Sequence, residues 1–287
     1  MSEFDNENKR GYLKEEFRFF HLKEQKTDSF SLHYHTFNKI VIFIKGDVTY
    51  LIEGKHYKLK PWDIILVSKN QIHMPIINPT KTYERFILWI NDEFLQKDTS
   101  ESFDLLSCFH MTSNNNHLLR LTNNNLELIK YRIYALKDSM TDNYLGHYTI
   151  KKCLFLQLIV VINRFFIGNG KIDNTVDVVY DKRIESLLKY INNNLESDLS
   201  IDTLSKIVFL NKYYLMHLFK EQIGYPIHKY IQEKRLIKSC ILIKQGILLS
   251  QVCLDCGFGD YSTFVRTFKK KYGLPPKDYL KSINQWL

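Results

Sequence analysis

The last third of the chain repeats itself with an offset of 49 residues. The shared pattern is an apolar residue, then Phe-Lys beginning four positions later, then Gly-x-Pro and Tyr. Its members in the two copies are Leu215, Phe219, Lys220, Gly224, Pro226 and Tyr230, and Phe264, Phe268, Lys269, Gly273, Pro275 and Tyr279. Two copies of one pattern predict two similar supersecondary units.

Each copy has the residue order of a helix-turn-helix unit, at about 201–222 and 249–272. A short apolar helix is followed by a turn and by a second helix with a capping side chain, Asn211 in one copy and Asp260 in the other. Between the copies, residues 227–245 are predicted to form one amphipathic helix that fixes the spacing of the two units.

Charge is concentrated in this same region. Residues 181–287 carry 17 Lys and Arg against 10 Asp and Glu, whereas residues 1–180 carry 23 against 21. A basic block beside a nearly neutral remainder is typical of a module that neutralises phosphates. A plain helical bundle would explain the buried positions of the repeat but not its basic outward faces, so the sequence favours binding of double-stranded DNA.

The residues before the repeat show a different pattern of apolar and polar residues. Short β-type runs separated by turn residues extend from Phe30 to Ile90 and predict a small antiparallel barrel or jelly roll. Helical spacing follows at 94–109, 125–139 and 148–166. The predicted fold class is therefore α+β, with an antiparallel β-barrel and helices first and an all-α domain last.

Cysteine use and hydropathy narrow the class of protein. The five cysteines are an odd number, and the first residues lack the apolar segment of a secretion signal, so we expect free thiols in a cytoplasmic protein. Cys253 and Cys256 have no second ligand pair, which predicts packing roles rather than a metal. The stretch 154–167 is shorter than a membrane helix requires. No catalytic motif, cofactor, metal or membrane association is expected.

Residues 184–282 resemble the AraC/XylS family of bacterial regulators. The resemblance rests on L215-x-x-x-F219-K220, R235-L236, and C253-x-x-C-G257-F258-x-D260-x-S262-x-F264-x-R266-x-F268-K269-K270. It implies that the second helix of each unit enters one of two consecutive major grooves. The base-facing residues it implies are Tyr213, Met216, His217, Tyr261, Ser262 and Arg266. Phosphate contacts are expected from Lys212, Lys220, Lys269 and Lys270.

The first half is similar to the cupin-type sensors of that family. His33 and His35, followed by position 39 and Gly46, have the spacing of a cupin metal motif, and His73 stands where a second motif would place its histidine. Position 39, however, is Lys39 rather than the expected glutamate, which disfavours a divalent metal. The three histidines are thus metal ligands, polar contacts to an organic ligand, or ordinary sheet residues. Trp62 and Trp89 either stack on a sugar ring or fill the core.

The resemblance implies the following domains: a ligand-sensing barrel with an N-terminal arm at 1–95, a helical support or dimerisation region at 96–168, a linker at 169–181, and a DNA-binding domain at 182–287. The implied function is a dimeric transcriptional activator that answers to a small molecule, such as a carbohydrate, and acts on RNA polymerase. Two alternatives are a metal-dependent cupin enzyme tethered to DNA and a ligand-independent dimeric regulator. The apolar residues of 148–166 either pair two subunits or pack against 126–136 of the same chain.

Overall fold

The structure is a computed structural model that describes Leu13 and residues 15–25, 30, 32–97, 103–114, 116–168 and 181–284. The chain divides into two compact units, Met1–Val179 and Tyr180–Leu287. Apart from Asp181, the linker predicted at 169–181 lies outside the described residues. Among the helices described, none combines the length and apolar character needed to cross a membrane.

The strands of the first unit form two antiparallel sheets. Their bounds are β1 Phe17–Glu24, β2 Asn38–Lys45, β3 Val48–Ile52, β4 Lys55–Lys58, β5 Ile64–Val67, β6 His73–Ile77, β7 Tyr83–Ile90 and β8 Leu118–Leu119. One sheet has the order β1-β7-β2-β5-β8 and the other the order β4-β3-β6. Among the described strands both sheets stay open, so the β structure of the first unit consists of two sheets rather than a single closed barrel.

The five-stranded sheet is buried on both faces. Successive side chains of a strand point to opposite sides of the sheet, and on β2 both sets are buried. Ile40 and Ile42 of β2 belong to the core shared with the helices of this unit. Val41 and Phe43 of the same strand belong to a second core, shared with Tyr50 of the three-stranded sheet. The first unit therefore has three layers, namely helices, the five-stranded sheet and the three-stranded sheet.

The helices of the first unit are α1 Asp92–Lys97, α2 Ser107–His110, α3 Asn123–Ser139 and α4 His147–Gly168. The prediction of one helix over 94–109 is wrong, because two short helices occupy that range. The Asp104 carboxylate accepts the Leu106 N–H at 2.9 Å just before α2, and Asn163 Oδ1 accepts the Cys108 N–H at 2.8 Å. These side chains satisfy amide groups at the start of a new helix, which the apolar spacing did not reveal.

Helix α4 packs within its own domain. Five of the apolar residues that could have paired two subunits are buried there, namely Phe155, Leu158, Ile159, Val161 and Ile162. They share one core with Ile129, Ile133 and Leu136 of α3. Burial in the same chain therefore accounts for the apolar character of α4, and a dimer contact would have to use other residues.

The second unit is all-helical in its described residues. Its helices are α5 Lys182–Asn193, α6 Ile201–Ile207, α7 Lys212–Ile223, α8 Ile227–Lys244, α9 Leu249–Asp255, α10 Tyr261–Tyr272 and α11 Pro276–Asn284. Helices α6 and α7 form one helix-turn-helix unit, α9 and α10 form the other, and α8 joins them. Cys253 and Cys256 are buried in the core of the second helix-turn-helix unit. The predicted α+β fold class and the packing role of these thiols are confirmed.

Candidate nucleic-acid interface and ligand site

Helix α7 begins and ends at residues that were recognisable in the sequence. The Asn211 side chain accepts the Tyr213 N–H at 2.9 Å, and Gly224 ends the helix at φ 71°. Glycine takes this left-handed conformation without the penalty of a side chain. Leu215 and Phe219 are fully buried, so the opposite face of α7 is left to solvent.

Helix α10 repeats this construction. The Asp260 carboxylate accepts the Thr263 N–H at 2.7 Å, and Gly273 ends the helix at φ 78°. Phe264 and Phe268 are fully buried in the positions that Leu215 and Phe219 hold in α7. The apolar positions of the internal repeat therefore indicate which face of each helix packs inward.

All the predicted DNA contacts lie on the opposite, exposed faces. All six residues predicted to face bases are exposed, namely Tyr213, Met216, His217, Tyr261, Ser262 and Arg266. All four lysines predicted to contact phosphates are exposed as well, namely Lys212, Lys220, Lys269 and Lys270. Each helix thus presents hydrogen-bonding side chains and cations on one outward face, which is the surface that a major-groove helix uses.

The polar contacts these residues already make are weak and exchangeable. Lys212 pairs with Asp202, and the His217 ring lies 3.8 Å from a carboxylate oxygen of Glu221. Arg266 Nη2 donates to Thr263 Oγ1 at 3.3 Å. Surface pairs of this kind contribute roughly 0–1 kcal/mol, so phosphates or base edges can replace them.

A different cluster forms between the two sheets of the first unit. The backbones of His33 and His73 pair through hydrogen bonds of 3.1 and 2.8 Å. The ring of His35 lies 5.0 Å from the ring of His33 and 5.1 Å from that of His73. One nitrogen of each histidine lies within 4.8 Å of the others. The fold therefore brings together the three histidines that the sequence singled out.

Burial keeps two of these imidazoles neutral. Burial, and then the neighbouring Lys39, holds the pKa of His35 well below its usual value, and burial together with His33 does the same for the pKa of His73. His73 Nδ1 must donate to the Gln71 carbonyl, 2.9 Å away, which leaves Nε2 as an acceptor. That Nε2 and both ring nitrogens of His35 have no hydrogen-bond partner among the described residues.

Two buried cations complete what we call the inter-sheet site, made of Lys39, Arg85, His33, His35 and His73. Lys39 is 4% exposed and Arg85 is 2% exposed. Burial, and then the charge of Arg85, lowers the pKa of Lys39 to about 7. Arg85 Nη2 donates to Glu24 Oε1 at 2.7 Å, and its guanidinium carbon lies 4.0 Å above the Tyr83 ring.

Sequence reasoning treated Lys39 only as a replaced metal ligand and missed Arg85. The available signal was strand alternation, because Lys39 shares the face of Val41 and Phe43 on β2 and is therefore predicted to point into a core. For Arg85 no local signal existed. Its position follows from the pairing of β2 with β7, which sets Phe43 opposite Arg85.

The two tryptophans have different surroundings. Trp89 is buried, and its ring lies 6.0 Å from that of His35 and 4.8 Å from that of Phe37, so it borders the inter-sheet site. Trp62 packs on the helical side, with its ring 6.1 Å from that of Tyr134. The structure does not bring Trp62 to the predicted ligand site.

The donor set does not fit a divalent metal. Three imidazoles at this spacing suit zinc or iron in geometry. Within the described part of the chain, however, no carboxylate or thiol joins the three histidines in a possible metal cluster. Lys39 is close enough to lower the pKa of His35 and His73, and Arg85 adds a second positive charge. Two cations beside neutral ligands oppose a further doubly charged ion.

A small cavity opens beside this cluster. His33, Lys39, Tyr50, Tyr83 and Arg85 are among the residues that line it. Its volume is about 10 Å³, which is the space one water molecule needs. The site can therefore hold one small polar group in this conformation, and a larger molecule would have to displace the side chains around it.

The chain matches known proteins in both units. Residues 19–136 match the family described as AraC-like ligand binding domain, and residues 204–282 match the family described as Helix-turn-helix domain. The probable transcriptional regulator LumQ of Photobacterium leiognathi is 25% identical over 86% of this chain and 90% of its own length. The HTH-type transcriptional activator RhaS of an Enterobacter species is 20% identical over 87% of each chain.

Among solved structures, ToxT of Vibrio cholerae covers 93% of this chain and 98% of its own, at 18% identity and a TM-score of 0.36. The two family matches lie on the two units in the order that the sequence analysis expected. The chain belongs to the AraC/XylS family of transcriptional regulators and joins an AraC-like ligand-binding domain to a DNA-binding helix-turn-helix domain.

Proposed function

We propose that this protein is a cytoplasmic transcriptional activator whose occupancy of DNA, or contact with RNA polymerase, depends on a small molecule in the inter-sheet site. The observation that carries the proposal is the repeated pair of helices α7 and α10. Each is fixed by apolar side chains at equivalent buried positions and presents exposed hydrogen-bonding and cationic side chains. Two such helix-turn-helix units joined by the continuous helix α8 suit two successive major grooves, about 34 Å apart.

Within this proposal, the residues of α7 and α10 have separate tasks. Arg266 reads a guanine, since a guanidinium can donate two parallel hydrogen bonds to the guanine edge. Tyr213, Met216, His217, Tyr261 and Ser262 contact neighbouring bases. Lys212, Lys220, Lys269 and Lys270 bind phosphates, which adds affinity and salt dependence without sequence information.

Replacement of Arg266 by alanine is expected to lower the preference for specific over random DNA by about 1–3 kcal/mol. The measurement is a binding titration across a salt series, with a duplex that the wild-type protein has enriched from random sequences. The matched control is Lys269→Ala on the same helix. It should weaken binding to both duplexes alike and reduce the salt slope by about one.

Either of two results would contradict this assignment. In the first, wild-type protein enriches no sequence and shows a flat salt dependence, which would rule out DNA binding itself. In the second, Arg266→Ala keeps the full preference for specific DNA while Lys269→Ala loses it, which would exchange the two proposed roles.

The proposed mechanism of control is a shift between two conformations of the ligand-binding domain. The inter-sheet site holds only about one water-sized group as it stands. A larger effector must therefore move the sheets or the segment around His33, and it will favour whichever conformation admits it. A ligand-independent regulator would show no change in DNA occupancy with any effector.

We propose a sensory rather than a catalytic role for the inter-sheet site, because Lys39 and Arg85 oppose the metal that a cupin enzyme requires. Purified protein is expected to contain far less than one equivalent of Fe, Mn or Zn by elemental analysis. Stoichiometric metal that survives dialysis, and that is lost on His73→Ala, would instead support the enzyme alternative.

We further propose a homodimer that pairs through the outer face of α3. Leu128, Tyr131 and Tyr134 are exposed there, with Tyr131 75% exposed. Tyr131→Glu is expected to convert a dimer to a monomer in light scattering, because it puts a charge into the apolar contact. The control Asp138→Asn on the same helix should leave the mass unchanged. A monomeric wild type, or a dimeric Tyr131→Glu variant, would contradict this interface.

A further inference from the structure

The inter-sheet site has an unbalanced charge. Lys39 and Arg85 are both almost fully buried, and the one described carboxylate that contacts either of them is Glu24, which pairs with Arg85 at 2.7 Å. The Glu24 side chain is itself 37% exposed. One positive charge inside the β structure is therefore left without a balancing negative charge among the described residues.

Lys39 is the uncompensated group. Its backbone is paired within the sheet, but its ammonium group makes no hydrogen bond or ion pair with a described residue. Burial of an ammonium group without a partner costs several kcal/mol, and such groups in proteins are usually paired. An apolar side chain of the same length would avoid this cost, so a lysine at this position points to a partner beyond the described residues, which we assign to a bound ligand.

The remaining polar groups of the inter-sheet site indicate which other chemical groups that partner carries. His73 Nε2 is an acceptor that needs a donor, and His35 offers one acceptor and one donor while it is neutral. A hydroxyl group can donate to one imidazole and accept from another. Lys39 and Arg85, by contrast, only donate hydrogen bonds and favour an oxyanion.

We propose that the effector is a small hydroxylated anion whose carboxylate or phosphate group binds Lys39 and Arg85, while a hydroxyl group meets His35 and His73. This inference rests on the proposed function of the domain as a sensor and specifies the chemistry that it detects. A neutral carbohydrate would fill the hydrogen bonds of the histidines but leave Lys39 unpaired. The anion binds one end of the cavity that Lys39, Arg85 and His33 line.

The test uses the full chain and pairs of compounds that differ only in charge. D-galacturonate is compared with D-galactose, and D-glucose 6-phosphate with D-glucose, by calorimetry and by thermal unfolding. At least one anion should bind and raise Tm, with its neutral partner on the order of 10- to 100-fold weaker, as expected for a hydrogen bond to a charged group. A response to D-galacturonate would show that the site binds a carboxylate, and a response to D-glucose 6-phosphate would show that it binds a phosphate.

Two variants separate this site from nonspecific binding to a basic protein. Lys39→Met should lose the response to the anion, whereas Lys45→Met, an exposed lysine on the same strand, should keep it. Equal binding of the neutral compounds, an unchanged response of Lys39→Met, or no binding of any anion would overturn the proposal. DNA binding by α7 and α10 is measured separately, so regulator function can stand when the anion assignment fails.

Discussion

Replacement of Gly257 by alanine is expected to destabilise the second helix-turn-helix unit by more than about 4 kcal/mol and to abolish binding to DNA. Gly257 lies in the turn between α9 and α10 at φ 75°. A Cβ at this position would lie 2.2 Å from the carbonyl oxygen of Leu195 and 2.8 Å from Arg235 Nη2. Real Cβ atoms do not approach backbone oxygens so closely, so the turn or the loop around Leu195 must move.

The steric overlap, rather than the backbone angle, makes the effect large. Phe209 occupies the corresponding turn of the first unit with φ 52°, and its side chain is 94% exposed. A left-handed residue with a side chain is thus tolerated at a cost of roughly 1–2 kcal/mol. At Gly257 the carbonyl of Leu195 cannot easily retreat, since it accepts a hydrogen bond of 2.9 Å from Arg235 Nε.

Gly259 provides a matched control two residues away. Its φ is not in the left-handed region, and a Cβ there would meet no atom within 4 Å. Gly259→Ala should therefore change the free energy of unfolding by less than about 0.5 kcal/mol. Denaturant unfolding of both variants, followed by circular dichroism, makes the comparison. Equal stability of Gly257→Ala and Gly259→Ala would contradict the close approach to Leu195.

The same glycine shows what sequence alone can predict. The turn and its left-handed residue were visible, because Gly257 stands between a short apolar helix and the capping Asp260. The contact that requires a glycine was not visible, because Leu195 and Arg235 come from distant parts of the chain. Local features of the DNA-binding domain were predictable in this way, including its caps and the buried faces that the repeat marks.

The ligand-binding domain was less predictable for a physical reason. His33, His35 and His73 were identified individually, but their meeting depends on the pairing of strands far apart in sequence. Arg85 lies in a strand that reads as an ordinary apolar run, and only the register of β2 against β7 puts it near Lys39. Trp62 sits at φ 72° in the turn before β5, and there its ring meets the helical layer instead of the inter-sheet site.

Replacement of Lys39 by methionine is expected to stabilise the protein without ligand by on the order of 3–5 kcal/mol near pH 6. The reason is the pKa of Lys39, which falls from its usual 10.5 to about 7 in the folded state. A lowered lysine pKa means that folding disfavours the charged form. The penalty is therefore complete below pH 7 and disappears as the pH rises toward 10.5. Methionine removes the charge and keeps the length of the side chain.

The other groups that face Lys39 should not obscure this pH dependence. His35 and His73 are kept neutral by burial, so they do not gain a proton near pH 7. Burial raises the pKa of Tyr83 to about 12 and that of Tyr50 well above its usual value, so both phenols stay protonated. Among Lys39, His35, His73, Tyr50 and Tyr83, Lys39 is the group whose pKa lies between pH 6 and 9.

Denaturant unfolding at pH 6 and pH 9 tests this expectation, with tryptophan fluorescence as the probe, since two of the three tryptophans, Trp62 and Trp89, lie in the ligand-binding domain. Lys39→Met should have a higher free energy of unfolding than the wild type, and the difference should be larger at pH 6 than at pH 9. Lys45→Met, whose lysine is exposed on the same strand, should match the wild type at both. A less stable Lys39→Met variant would mean that the ammonium already has a partner within the chain, and the argument for an anionic effector would fail with it. A variant that is more stable yet no longer binds the anion would show that this lysine is retained for ligand binding at the expense of stability.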